Sequence, residues 1–104
     1  MLGMAQINTQ RLIDIGRNAL YFEDYVVAIQ YFNQVIKAKP HLTEPYLYRA
    51  YAKLSLEDYR GAIEDCNLAL DINPFLPKVY YCRGDAYRQT GQLDKPTEDS
   101  QQSL

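Results

Sequence analysis

The 104-residue chain predicts an all-α fold, a solenoid built from antiparallel helix hairpins, on three observations. First, the sequence repeats itself at a step of 34: Tyr25 with Tyr59, Ala28 with Ala62, Ile29 with Ile63, Asn33 with Asn67 and Pro40 with Pro74. The step continues from Tyr46 to Tyr80, Arg49 to Arg83, Ala50 to Gly84 and Ala52 to Ala86. Self-similarity at a fixed period of this size marks a repeat architecture. Second, within each copy the face-forming residues return every three or four positions, as on one side of a helix. Tyr46, Arg49, Ala50 and Lys53 form one such set, and Ala62, Cys66, Ala69 and Leu70 form the next. Third, Pro40 and Pro74 stop the copies, while Pro45 and Pro77 stand where a new helix starts and a missing N–H is harmless.

The elements follow in order. Residues 1–8 (MLGMAQIN) stand outside the repeat as a tail. They lack the basic start and long apolar run of a complete signal peptide, yet Leu2-Gly3-Met4-Ala5-Gln6 resembles the end of one. A periplasmic parent is expected if the chain is truncated, and a cytoplasmic protein if Met1 is the true start. Thr9 is expected to cap a helix to about Phe22 through Leu12, Ile13, Ile15, Ala19 and Leu20, with Gly16 as the point of close approach. Asp24 opens the second helix, which runs to about Ala38 through Ala28, Phe32 and Val35. The third starts at Thr43-Glu44-Pro45, and Asp58 caps the fourth. The fifth covers about Lys78 to Gln89, and Gly91 marks the turn after it. A sixth, from Pro96, has a polar face, with Thr97 and Ser100 where apolar residues are due. Two outcomes stay open for it: a polar cap that keeps the array soluble, or a frayed end that favours dimers.

The period, the small residues Gly16, Ala50 and Gly84, and the series Ala28/Phe32/Val35/Pro40 and Ala62/Cys66/Ala69/Pro74 together resemble the tetratricopeptide repeat. The resemblance covers residues 9–104, as copies 9–42, 43–76 and a degenerate 77–104. It departs from the family where the usual Trp is replaced by Leu12, Tyr46 and Tyr80. It implies a right-handed α-solenoid of about three units, five to six helices, acting as a non-enzymatic scaffold for another protein. One subset of the family clamps the C-terminal carboxylates of chaperone tails. The matching places here hold Ile13, Arg17, Tyr48, Lys78 and Cys82, of which only Lys78 fits, so the resemblance does not extend to that subset.

In a stack of hairpins the first helix of each lines the concave side. Leu12, Tyr46 and Tyr80 are expected in the core. The exposed inner stripe is expected to carry Ile13, Arg17, Leu20, Tyr21, Leu47, Tyr51, Leu54, Tyr81, Asp85 and Arg88, flanked by Tyr48 and Lys78. Such a wall suits a peptide segment of a partner, since rings cover apolar side chains and cations hold carboxylates. The alternative use is self-association through the fifth helix and the weak last one, giving a homodimer. The net charge of -2 provides no footprint for nucleic acid. No apolar run is long enough to span a membrane.

Other chemistry is sparse. His41 is the single His and sits in a loop, so no metal or other cofactor is expected. Cys66 falls at a core position, and Cys82 faces inward without a His or a CxxC partner. Glu23-Asp24 and Glu57-Asp58 recur with the period, which marks them as turn and cap residues rather than catalytic acids.

Overall fold

The computed structural model describes residues 8–91. The sixth helix expected from Pro96, and all but the last residue of the expected tail, lie outside the described residues. Within them are five α-helices and no strand: α1 (Thr9–Tyr21), α2 (Tyr25–Ala38), α3 (Glu44–Ser55), α4 (Tyr59–Ile72) and α5 (Pro77–Gln89). The fold is the expected all-α solenoid. α1 packs on α2 and α3 on α4 as hairpins; α2 meets α3, and α4 meets α5, where one hairpin stacks on the next. α1 adjoins α3, and α3 adjoins α5, so the first helices lie side by side.

The two hairpin turns share the sequence Glu-Asp-Tyr and one backbone geometry. Glu23 and Glu57 both take positive φ, 64° and 67°. Each sits just past a helix end, and each is followed by an Asp that N-caps the next helix. The Asp24 N–H donates to the Ala19 carbonyl at 2.8 Å, and the Asp58 N–H donates to that of Lys53 at 2.8 Å. The Glu23 and Glu57 N–H groups reach Leu20 and Leu54 in the same way, which completes a Schellman closure at both sites. Gly91 (φ 79°) repeats the geometry after α5, with the residue that enters the left-handed region most freely. Asp58 also accepts from the Gly61 N–H through its side chain, whereas Asp24 makes no side-chain cap bond. At the start of α1 the expectation is corrected by one residue. Asn8 is the cap, accepting from the Arg11 N–H, and Thr9 is the first helical residue.

Small residues set the helix spacing within hairpins. A Cβ on Gly16 would stand 2.7 Å from Cε1 of Phe32, so α1 lies directly against that fully buried ring. Ala50 and Gly84, at the same repeat position, are buried too. The core divides into two parts. Ala19, Ala28, Phe32 and Ala52 centre on hairpin one; Leu47, Ala62, Cys66, Val79 and Cys82 link hairpin two to α5.

Between hairpins a polar staple recurs with the period. The Arg49 guanidinium donates to Asn33 at 2.7 Å, and that of Arg83 donates to Asn67 at 2.9 Å. Each guanidinium also lies over the Tyr three residues earlier, Tyr46 or Tyr80. Those Tyr hydroxyls donate to the carbonyls of Pro40 and Pro74, both at 2.8 Å, tying each new helix to the end of the previous copy. Hairpin two adds a buried acid. Asp65, 1% exposed, receives Arg49 in a two-pronged contact at 2.6 and 2.8 Å, and Lys53 at 3.1 Å. Two core expectations are corrected: Tyr46 is buried at 7% exposure, but Leu12 is only half-buried and Tyr80 is 45% exposed. No described helix follows α5 to cover it as α5 covers hairpin two.

Candidate functional site

The wall made by α1, α3 and α5 carries two shallow hollows that share one ring. The first, about 370 Å³, lies between α1 and α3 and is lined by Arg17, Leu20, Tyr21, Tyr25, Tyr48, Tyr51 and Ser55. The second, about 300 Å³, lies between α3 and α5 and is lined by Tyr51, Leu54, Lys78, Tyr81, Cys82 and Asp85. Tyr51 is therefore the ridge between them. Helical spacing explains its reach, since Tyr48, Tyr51 and Ser55 recur at steps of three and four on one side of α3.

Rings support the ridge from below. Phe32, in the core of hairpin one, packs against Tyr48 with centroids 5.6 Å apart, and Tyr48 lies 6.5 Å from Tyr51. The Arg17 guanidinium lies over the Tyr48 ring at 5.4 Å. Burial raises the Tyr48 phenol above its ordinary value; the Glu44 carboxylate adds to the rise and Arg17 opposes it. Burial raises Tyr51 too, with Cys82, Cys66 and Tyr48 adding to the effect. Both rings are neutral hydrogen-bonding groups near pH 7.

Nine of the twelve residues expected at the site come together here: Arg17, Leu20, Tyr21, Tyr48, Tyr51, Leu54, Lys78, Tyr81 and Asp85. Three do not. Ile13 and Leu47 were expected on the exposed stripe but are buried, at 7% and 4% exposure. They occupy equivalent repeat positions, and Leu47 packs into the cluster that includes Val79 and Cys82 of α5. Their counterpart one period on, Tyr81, is 76% exposed, with no described hairpin beyond it. Arg88 is exposed, lines neither hollow and reaches back to Asp85 at 3.4 Å. Tyr25 and Ser55 line the first hollow and were not anticipated. Ser55 stands four residues after Tyr51 on the same helix, a spacing that could have found it; Tyr25 comes from α2 and no α1 or α3 pattern points to it.

Cys82 forms part of the second hollow but is only 4% exposed. It shares a hydrogen bond with Cys66; that bond and burial push the Cys66 thiol well above its usual range. Cys66 therefore stays a neutral core thiol rather than a nucleophile. Among the described residues no group of three His, Cys, Asp or Glu is placed to hold a metal ion. No helix of the described residues is long and apolar enough to cross a membrane.

Comparison with known proteins gives a consistent picture. Residues 44–75 match the family model for the tetratricopeptide repeat. Sperm-associated antigen 1 of Mus musculus is 30% identical over 89 residues, covering 86% of this chain and 10% of its own length. The chain thus spans about a tenth of that relative. Among solved structures, the Arabidopsis OM64 TPR domain superposes with a TM-score of 0.77 at 26% identity, covering 79% of this chain and 68% of that one. The first TPR of Spaghetti (RPAP3), bound to the HSP90 peptide SRMEEVD, superposes with a TM-score of 0.75 at 29% identity, over 77% of this chain and 64% of that one.

Proposed function

Because the chain belongs to the tetratricopeptide-repeat family, we propose that it is a protein-interaction scaffold whose α1–α3–α5 wall holds a peptide segment of a partner. The observation that carries this is the pair of hollows meeting at Tyr51 on one continuous wall. The mechanism is display. Rigid helices present aromatic and aliphatic surface, flanked by Arg17, Lys78 and Asp85, and no bond is made or broken. The HSP90 peptide bound by the first TPR of Spaghetti supports the general mode. It does not supply the ligand, because Ile13 and Cys82, at two of the five places that would grip such a tail, are buried and apolar.

The test is a selection of random peptides against the full chain, followed by titration of the Tyr51→Ala and Tyr81→Ala variants. Circular dichroism should be unchanged, while binding weakens by about 1 kcal/mol or more per ring. Undiminished binding in both variants would refute the site. The alternative reading is self-association through α5, favoured by the exposed rings of Phe75, Tyr80 and Tyr81 at that end. Light scattering showing a strict monomer at high concentration would exclude it.

A further inference from the structure

Resting on that reading, we infer that the wall takes an internal, extended peptide with two large apolar side chains three residues apart, one in each hollow, and an acidic residue beside the first. The hollows are each small, about 370 and 300 Å³, mainly apolar in lining, and separated by the Tyr51 ring. Because the Tyr51 ring stands between them, apolar side chains seat on either side of it rather than as one continuous apolar run. Their separation follows from the helices that frame them. Packed helices stand about 8–10 Å apart, so a hollow between α1 and α3 is about one such step from a hollow between α3 and α5. A polyproline-like chain rises about 3.1 Å per residue with three residues per turn. Residues i and i+3 are then about 9 Å apart and on the same side. A β-strand does not match: same-face residues fall about 6.6 Å apart at i+2, too short, or about 13 Å at i+4, too long.

The charges give the peptide a direction. Arg17 is the one charged residue lining the first hollow, and it makes no ion pair with any described residue. Its guanidinium is held over Tyr48 and can take a carboxylate with two donors. In the second hollow Lys78 shares the lining with Asp85, whose own carboxylate, paired with Arg88 at 3.4 Å, repels a second acid, so an acidic residue is favoured less there than beside Arg17. Arg17 and Lys78 also stand on opposite sides of α3, in separate hollows, and do not converge on a single point. A terminal carboxylate therefore finds no clamp, and the peptide is gripped along its middle.

The probes are synthetic peptides blocked at both ends, Ac-Gly-Asp-Leu-Pro-Ala-Leu-Gly-NH2 and forms with one residue fewer or more between the Leu residues, titrated into the isotope-labelled full chain by NMR. The three-step form should bind at least about fivefold more tightly than either neighbour. Replacing its Asp by Asn should weaken binding about threefold or more, and R17Q should abolish that difference while keeping the spacing preference. Equal affinity across spacings, or tightest binding by a form with a free carboxylate end, overturns the inference. Failure of all these peptides also overturns it. Library-selected peptides then separate the two levels: if Tyr51→Ala weakens them, the groove stands without this motif; if it does not, both fall.

Discussion

Hairpins one and two share a turn, a small-residue contact and nearly equal helix lengths, yet they fill one neighbourhood in opposite ways. In hairpin two, Arg49 and Lys53 converge on buried Asp65. One period earlier the same positions hold Ile15, Ala19 and Tyr31. The backbone is indifferent to this choice. What the hairpins have in common, the Glu in the left-handed region, the following Asp and the small residue at the helix contact, sets the geometry. The ion cluster is a local filling, and buried ion pairs are seldom net stabilisers relative to well-packed apolar groups.

That contrast can be broken in graded steps. The largest effect is expected from Asp65→Ala, which leaves Arg49 and Lys53 partly buried without their acid; chemical denaturation should show a loss of about 3 kcal/mol. Gly16→Ala strikes a feature the hairpins share. Its Cβ meets the Phe32 ring, and a loss of about 2 kcal/mol is expected, with the near-ultraviolet circular dichroism of the rings altered. The triple variant R49I/K53A/D65Y gives hairpin two the filling of hairpin one. It should lose less stability than Asp65→Ala alone, even though it also removes the Arg49–Asn33 bond and the Arg49 guanidinium over Tyr46; a loss as large as that of the single variant would mean that the ions specify the fold. Glu57→Gly should raise stability by about 0.5 kcal/mol, because relief of left-handed strain slightly exceeds the added chain entropy of Gly. The smallest effect is alkaline. Burial raises Tyr48 and Tyr51, so the unfolded phenols lose their protons first as pH climbs past 10.0. The contribution of both rings to stability is complete below that pH and declines above it, which denaturation at stepped pH will show.

The repeat made much of the molecule legible. Turn residues, helix bounds and the small contact residues all recur, so one copy checks another. The errors fall where recurrence gives no help. Ile13 and Leu47 share a position whose burial depends on the hairpin that stacks next, a tertiary fact absent from the local pattern. Tyr80 was placed in the core by analogy with Tyr46, and it lacks the same cover. Asp65 breaks the period at Tyr31, and that break, sixteen residues after Arg49, was the available signal for the ion pair. The hollows were only half visible: periodicity names the residues of one helix face, but the step from α3 across to α2 that brings in Tyr25 has no counterpart in spacing.

The central claim is that α1, α3 and α5 form one working surface with Tyr51 at its middle. The most direct measurement is an amide chemical-shift map of the full chain with a library-selected peptide. Shifts should centre on Arg17, Tyr48, Tyr51 and Tyr81. Shifts confined to the outer sides of α2 and α4, with those four unmoved, would contradict it.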